Sequence, residues 1–299
     1  MTDWASLRIA VVAGDEREQE IARSAAAEGA QVRAFGFPWP EGGVAGVTRA
    51  GSAAEALKGA DYALFPIPGI ASDHSLFAPE HPEPIVPTAE AIAGMASGAT
   101  IILGVADAHL RAVAEPHGID FDEYEHDQEL MLRRAPAIVE GALRIAVEQT
   151  DITIHAADVV VVGFGTIGGL LARTLRALGA NVTVAARNPI QRAGAYAIGA
   201  APLPLADLPG QASRFQMVFS AVPAPVVGGE VLRRLPQGAL VMDLAAPPGG
   251  VDLELARALG HRAVWARGLG RRAPATVGAS QWSGIRRRIE EREGRKVNA

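Results

Sequence analysis

Short apolar runs alternate with longer stretches of helical spacing along most of the 299 residues. That alternation predicts a parallel α/β fold, in which buried strands read as nearly continuous apolar runs. In the first half, residues 7–12, 31–35, 62–65 and 100–104 are predicted strands, and 16–28, 88–95 and 107–117 predicted helices. Residues 38–51, rich in Pro and Gly, read as a loop, and 66–87, with six prolines, as a long irregular stretch. Residues 137–150 carry Ile138, Leu143, Ile145 and Val147, with Pro136 where helices favour a proline at their start; this predicts a long helix joining two halves. The second half offers strands at 158–162, 181–186, 217–221, 239–243 and 263–266, a helix at 169–178 and a last helix at 277–293.

The halves echo one another. Gly14 is followed by Glu28-Gly29-Ala30-Gln31-Val32, and Gly163 by Leu178-Gly179-Ala180-Asn181-Val182. Both spacings suit the turn, helix, Gly-Ala corner and second strand of a βαβ unit. Whether this is an internal repeat or the ordinary likeness of two such units, the expectation is two Rossmann-like domains with parallel sheets. The first, residues 1–136, is expected to serve substrate and catalysis, with a C-terminal helix at 277–299 packing back on it. The second is expected to span residues 137–276.

Composition narrows the function classes. There are 28 Lys+Arg against 33 Asp+Glu, a net charge of −5, whereas a nucleic-acid protein should carry a basic excess. With no Cys, disulfides, thiolate metal sites and Cys nucleophiles are excluded. No apolar run reaches the ~18 residues a membrane span needs, and the start, MTDWASLR, lacks a charged-then-apolar leader. A cytoplasmic protein without membrane contact is expected. Acidic residues at 122–129 have no metal-ligand spacing and read as a solvated face, so no metal is expected. The Arg-rich run 286–296, interleaved with Glu, reads as a salt-bridged helix.

The strongest chemical signal is Gly163-x-Gly165-x-x-Gly168, which follows a buried strand and opens a helix. The first Gly permits a tight turn, the second lets backbone approach a pyrophosphate, and the third lets helix pack on strand. Thr166 and Ile167 complete the phosphate-facing helix start, whose free N–H groups suit an anion. The second strand ends Ala186-Arg187-Asn188, with no carboxylate for a ribose hydroxyl. Arg187 can meet the 2′-phosphate of NADP there, the alternative being a solvated surface arginine. The segment 220–225, with Val222 and Pro223, and the Pro- and Gly-rich segment 243–252 are expected to line the nicotinamide side, or to be purely structural turns. Asp15 and Glu18 form a capping box for the first helix, and the neighbouring Arg17 can reach an anionic ligand in the strand-end crevice. Glu140 lies on the joining helix as a further substrate contact. His155, just before the cofactor strand, is the best placed of the seven histidines for acid–base work, although lone histidines are usually structural.

Nearly the whole chain resembles the dipicolinate synthase A-subunit family of spore-forming bacteria. The resemblance rests on Gly14-Asp15-Glu16-Arg17, Val139-Glu140-Gly141-Ala142-Leu143, Gln149-Thr150-Asp151-Ile152-Thr153-Ile154-His155 and the run from Val159 through Gly168. It continues in Asp243-Leu244-Ala245, Pro248-Gly249-Gly250-Val251-Asp252, Gly268-Leu269 and Ala273-Pro274-x-Thr276-x-Gly278. It implies an NADP-dependent oxidation of a dihydrodipicolinate, drawn from the lysine pathway, to dipicolinate in the mother-cell cytoplasm during sporulation. It also implies a second, flavoprotein-like subunit of B type. The expected partners are therefore a small cyclic dicarboxylate, that B-type subunit, and further copies of the chain in a homo-oligomer. The chain departs from the family pattern at Pro247, where an Arg is usual, and at Arg267, Gly270, Arg271 and Ala275. Arg267, Arg271 or Arg272 can supply the cations a diacid needs, or can be surface charge.

Other readings remain. A 2-hydroxyacid dehydrogenase shares the two-domain plan but carries an Arg after the fifth strand of its cofactor domain and a His near the last. Here those places read Ala246-Pro247 and Arg267-Gly268. An adenosylhomocysteinase-like hydrolase suits neither the chain length nor Arg187. A non-catalytic NADP-binding regulatory subunit is favoured by the lack of an obvious acid–base pair.

Overall fold

The computed structural model describes residues 2–298. The chain forms two compact units, Met1–Arg134 with Ala273–Ala299 and Ala135–Arg272. In the first, β1 (Arg8–Val12) leads to α1 (Glu16–Ala27), β2 (Gln31–Phe35) and β3 (Val47–Arg49). Then come α2 (Ala53–Leu57), β4 (Tyr62–Leu64), α3 (Ala89–Ala93), β5 (Thr100–Leu103), α4 (Ala108–Ala114) and β6 (Asp120–Glu123). The chain passes to the second unit within α5 (Gln128–Gln149).

The second unit runs β7 (Asp158–Val162), α6 (Thr166–Ala177), β8 (Asn181–Ala186), α7 (Pro189–Ala197) and β9 (Ala201–Pro204). It continues α8 (Leu208–Gln211), β10 (Met217–Ser220), α9 (Gly229–Leu232), β11 (Leu240–Asp243), α10 (Leu253–Ala258) and β12 (Arg262–Trp265). The last helix, α11 (Pro274–Asn298), belongs to the first unit.

Both sheets are six-stranded and have the same Rossmann-type order: β3-β2-β1-β4-β5-β6 and β9-β8-β7-β10-β11-β12. All strand pairs are parallel. In each, the strand order reverses beside the first strand, between β1 and β4 and between β7 and β10, which is where ligands of open α/β sheets bind. The expected architecture of two parallel-sheet Rossmann-like units is thus present, with helices on both faces of strands as apolar as Val159–Val162.

The differences from the expected elements have local causes. Residues 38–51 include the edge strand β3, three residues pairing with Val32, Arg33 and Ala34. β9 carries Pro202 and Pro204, which a sheet tolerates at an edge where an N–H is not needed. Pro136 does not start a helix: α5 begins at Gln128 and holds Pro136 in its interior. Helix α6 begins at Thr166, earlier than expected, because Gly165 serves as its N-cap.

Residues 122–129 are exposed at Glu123, Glu125, His126, Gln128 and Glu129, but Asp122 and Asp127 are half-buried and ion-paired rather than merely solvated. Asp120–Glu123 is a strand paired with β5. Asp127 accepts from Arg287 and Arg288 of α11, each at 2.9 Å, and Asp122 from Arg292 at 3.2 Å. The acidic edge is therefore neutralised by the arginines of the last helix. That helix also buries Trp282, Ile285 and Ile289 with Ile9 and Leu64, and stacks Trp282 obliquely on Trp4 at 5.6 Å. Tyr62 Oη donates to Glu293 at 2.5 Å.

At the end of β1 the chain turns through Gly14 at φ +109°, because the Glu18 side chain lies where a Cβ would stand, 2.4 Å from its Cγ. Asp15 caps α1 by accepting from the Arg17 amide at 3.0 Å, and Glu18 Oε2 accepts from the Asp15 amide at 2.8 Å. The capping box is thus present, and it is buried. Burial pushes the Glu18 carboxyl up to about 7, with Arg17 opposing the rise and Asp15 adding to it.

A folded-state value above the ordinary one means that Glu18 favours the fold most when protonated. That contribution is lost as the pH climbs from the unfolded carboxyl range through about 7. Glu18→Gln keeps an acceptor for the Asp15 amide and cannot ionise. Denaturant unfolding of both proteins at pH 5 and pH 8 should show the wild type losing stability relative to the variant at the higher pH. A gap that does not change with pH would contradict this.

Candidate functional site

The carboxyl ends of the second sheet carry the groups that the sequence pattern singles out. β7 is buried along Val159–Val162, so the chain must leave it abruptly. It does so at Gly163, with φ +93° and its N–H donated to Ala185 O at 2.9 Å. A Cβ at Gly163 would lie 2.7 Å from Val222 Cγ2, and one at Gly168 only 2.4 Å from the Gly163 carbonyl oxygen. These two glycines let α6 start directly against the strand end. Gly165 differs: nothing lies within 4 Å of a Cβ placed there, and the residue is exposed. The space it leaves is open to a ligand.

The start of α6 is left bare of side-chain caps. Its N-cap is Gly165, no side chain accepts from its first turn, and no acidic residue stands there. In α1, by contrast, Asp15 and Glu18 fill the equivalent end with carboxylates. The α6 terminus around exposed Thr166 and half-buried Ile167 therefore presents free N–H groups and the positive end of the helix dipole.

β8 ends at Ala186, and Arg187 and Asn188 follow it, both exposed. Asn188 caps α7, accepting from the Ile190 amide at 2.8 Å. Arg192, which sequence reasoning missed, donates to the carbonyls of Ala186 at 2.9 Å and Arg187 at 2.6 Å. A second cation is thus fixed at the end of the same strand. The available signal was its place one turn into a helix begun by Asn188-Pro189.

The loops after β10, β11 and β12 pin one another. Asp243, 1% exposed, accepts from the amides of Ala245, Gly250 and Val251 at 3.0, 2.7 and 3.1 Å. Gly250 packs so closely that a Cβ would lie 2.4 Å from both Ser220 Oγ and Val222 O. The Pro247–Pro248 peptide in this loop is cis. Trp265 donates its indole N–H to Ala245 O at 3.0 Å, and the Arg267 guanidinium lies 5.4 Å from the Trp265 ring centre. Pro223 is exposed beside half-buried Val222.

The remaining expected residues fall into three places. Arg271 and Arg272 lie in a short 3₁₀ turn, Leu269–Arg272, packed on α5 where Gly141 meets Leu269. Glu140 pairs with Arg272 there. Arg17 is buried and forked onto Asp15 at 2.8 and 2.9 Å, so its guanidinium is engaged by its own helix cap. His155 does not fit the role given to it. It is exposed before β7, against Gly179 at the amino end of the strands, while the glycine turn is at their carboxyl end. A strand of five residues, roughly 16 Å, separates them. Among the described residues no cluster of His, Asp and Glu could hold a metal ion, and no helix is long and apolar enough to cross a membrane.

Comparison with known proteins gives each unit a counterpart. Residues 8–124 match the family of the N-terminal domain of the dipicolinate synthase A-subunit, and residues 144–258 match Shikimate / quinate 5-dehydrogenase. The dipicolinate synthase A-subunit of Bacillus subtilis (strain 168) is 28% identical over 293 residues, which is 97% of this chain and 99% of the relative. The crystal structure of the dipicolinate synthase A-subunit from Bacillus subtilis aligns with a TM-score of 0.84 at 26% identity, covering 97% of each chain. That of the A-subunit from Bacillus halodurans aligns with a TM-score of 0.85 at 27% identity, covering 94% of this chain and 97% of the other. The fold is of dehydrogenase type.

The glycines make separable predictions. Gly165→Val should leave the melting temperature close to that of the wild type, because space is free, yet abolish dinucleotide binding. Gly168→Val should cost about 1–3 kcal/mol or more of stability, since the added atoms meet backbone. Thermal melting and a cofactor titration on both variants check this. A Gly165→Val protein that still binds a dinucleotide would contradict it.

Proposed function

From the premise that the chain belongs to the dipicolinate synthase A-subunit family, we propose that it is an NADP-dependent oxidoreductase subunit that oxidises a dihydrodipicolinate to dipicolinate. The observation that carries the reading is the uncapped start of α6 with open space at Gly165. Gly163, Gly165, Thr166, Ile167 and Gly168 would hold the pyrophosphate, and Val222 and Pro223 would lie beside the nicotinamide. Arg187, with Arg192 next to it, would pair with the 2′-phosphate, and Asn188 would hold that turn in place. The cofactor supplies a hydride acceptor; the protein supplies orientation and charge.

A cyclic diacid needs cations. Arg267 and Arg271 would meet its carboxylates from either side of the Gly268 turn, whose carbonyl accepts the Arg271 amide at 3.0 Å, while the fork of Arg17 is taken by Asp15. Glu140, paired with Arg272, is better read as fixing that turn. The family resemblance supports a partner of B type, together with a setting in the mother-cell cytoplasm during sporulation. A regulatory, non-catalytic NADP-binding role is the second reading, favoured by the placement of His155 away from the glycine turn.

Two measurements test the proposal. NADP should bind more tightly than NAD, by about ten- to a hundredfold if Arg187 contributes a charge-assisted contact of about 1.5–3 kcal/mol. Arg187→Asp should erase or invert that preference. Absorbance of dipicolinate should appear when this chain, a B-type subunit, NADP and the lysine-pathway intermediate are combined, and scarcely when the B-type partner is left out. Equal affinity for the two cofactors in the wild type contradicts the NADP assignment. Binding of NADP without product, under conditions where a known synthase works, favours the regulatory reading.

A further inference from the structure

We propose that Phe164, the residue between the first two glycines of the turn after β7, sets the spacing between the two ends of the dinucleotide site and thereby its preference for a 2′-phosphate, a positioning role that rests on the cofactor reading above. Every group involved belongs to the second unit. The Phe164 ring is a wedge between two helices. A Cβ on Gly169 of α6 would stand 3.8 Å from Cε1, Cε2 and Cζ, an ordinary contact with the tip of the ring. A Cβ on Gly194 of α7 would stand only 2.9 Å from Cε1 and 3.4 Å from Cδ1. The first of these is well inside the about 3.5–4.0 Å at which carbon atoms pack. Glycine at 194 thus lets α7 rest directly on the ring edge. The half-buried ring also packs against the core that contains Leu171 of α6 and Ala195 of α7.

α7 belongs to the piece that carries the cations. Arg192 donates to the carbonyls of Ala186 at 2.9 Å and Arg187 at 2.6 Å, and Asn188 accepts from the Ile190 amide at 2.8 Å. These bonds tie the end of β8, Arg187 and the first turn of α7 into one body. Gly194 lies two positions beyond Arg192 in the same helix. The glycine turn and α6 form the other body, closed by the contact of Gly168 with the Gly163 carbonyl. At the strand ends the two bodies are joined by the Gly163 amide, donated to Ala185 O at 2.9 Å. That bond is a pivot, and the ring is the stop that sets the angle of α7 about it.

The two nucleotides place different demands on this arrangement. NAD needs the free amides at the start of α6. NADP needs those amides and the guanidinium of Arg187 at the same time. Charge-assisted bonds to phosphate are short and directional, so they are lost when the donor is displaced. Turning α7 about the pivot moves Arg187 and Arg192 relative to the α6 amides while the bonds within each body stay intact. NADP affinity therefore depends on the wedge, and NAD affinity does not.

The test titrates NADP and NAD into wild type, Phe164→Leu, Phe164→Ala, Gly194→Ala and the double variant Phe164→Ala/Gly194→Ala, and records the melting temperature of each. Phe164→Ala should weaken NADP by about tenfold, as for partial loss of a charge-assisted contact, and leave NAD nearly unchanged. Phe164→Leu, which fills part of the space, should fall between it and the wild type. Gly194→Ala is the decisive variant. Alanine favours a helix over glycine, so the melting temperature should hold or rise, yet the NADP-to-NAD preference should fall. Without the ring the added methyl has room, so Gly194→Ala should have no further effect on the preference in the Phe164→Ala background. If Phe164→Ala fails to fold, Phe164→Leu and Gly194→Ala carry the test. Wild type that binds neither nucleotide, or both equally, overturns the cofactor reading and the wedge with it. Wild type that prefers NADP, with variants that keep its preference or weaken both nucleotides alike, overturns only the wedge. So does a double variant in which the two effects simply add.

Discussion

The separation between the Gly163 carbonyl and Gly168 governs the second unit. A Cβ at Gly168 would stand 2.4 Å from that oxygen, so only glycine lets α6 begin three residues after the strand turns. The helix start is thereby held at the carboxyl edge of the sheet, where β7 and β10 diverge in their connections. Its amides are left without carboxylate caps. Move the helix outward by the width of a methyl group and the same amides no longer converge on one small volume. The cofactor reading, the role of Arg187 beside it and the open space at Gly165 all follow from that contact.

The first unit uses the same strand order and the same turn, and reaches the opposite electrostatic result. Gly14 also makes room for a close approach, but what approaches is Glu18, a side chain of the helix itself. Asp15 and Glu18 then satisfy the first amides of α1, and Arg17 neutralises Asp15. An anion-binding terminus is converted into a closed, buried network. Two βαβ units with matching topology thus differ in chemistry because one begins its helix with glycines and the other with acids. Topology alone does not identify a site.

The interior of the fold was legible because a buried parallel strand leaves a continuous apolar run: residues 31–35, 158–162 and 181–186 are strands at the expected bounds. Of the four edge strands only β12 was legible, at 263–266 against the observed Arg262–Trp265. β3, β6 and β9 are short, exposed on one side and built partly from Arg, Asp and Pro, so they carry no run to read. β6 is a clear case. Its acids become acceptable in a strand only because α11, some 160 to 170 positions later, returns Arg288 and Arg292 to them. His155 misled for a related reason. It is close in sequence to the glycine turn, but sequence distance along a strand is distance across the sheet, and the ring ends up against Gly179 at the far edge.

What periodicity conveys least is the loops that leave strand ends, and these carry most of the remaining chemistry. Arg192 is defined by two backbone carbonyls rather than by any spacing. Phe164 and Gly194 lie on separate elements and meet only because β7 and β8 are neighbours in the sheet, Val162 beside Ala185. In a parallel sheet every such loop starts from the same edge, so residues distant in sequence gather there without any local pattern. The strands make that gathering reproducible: their register fixes where each loop begins to within a residue. The loop then needs only a few enforced bonds, as at Ala186, Arg187 and Asn188, to aim one side chain. This is why the frame of the molecule is written in its apolar runs while its reactive groups are specified by tertiary neighbours.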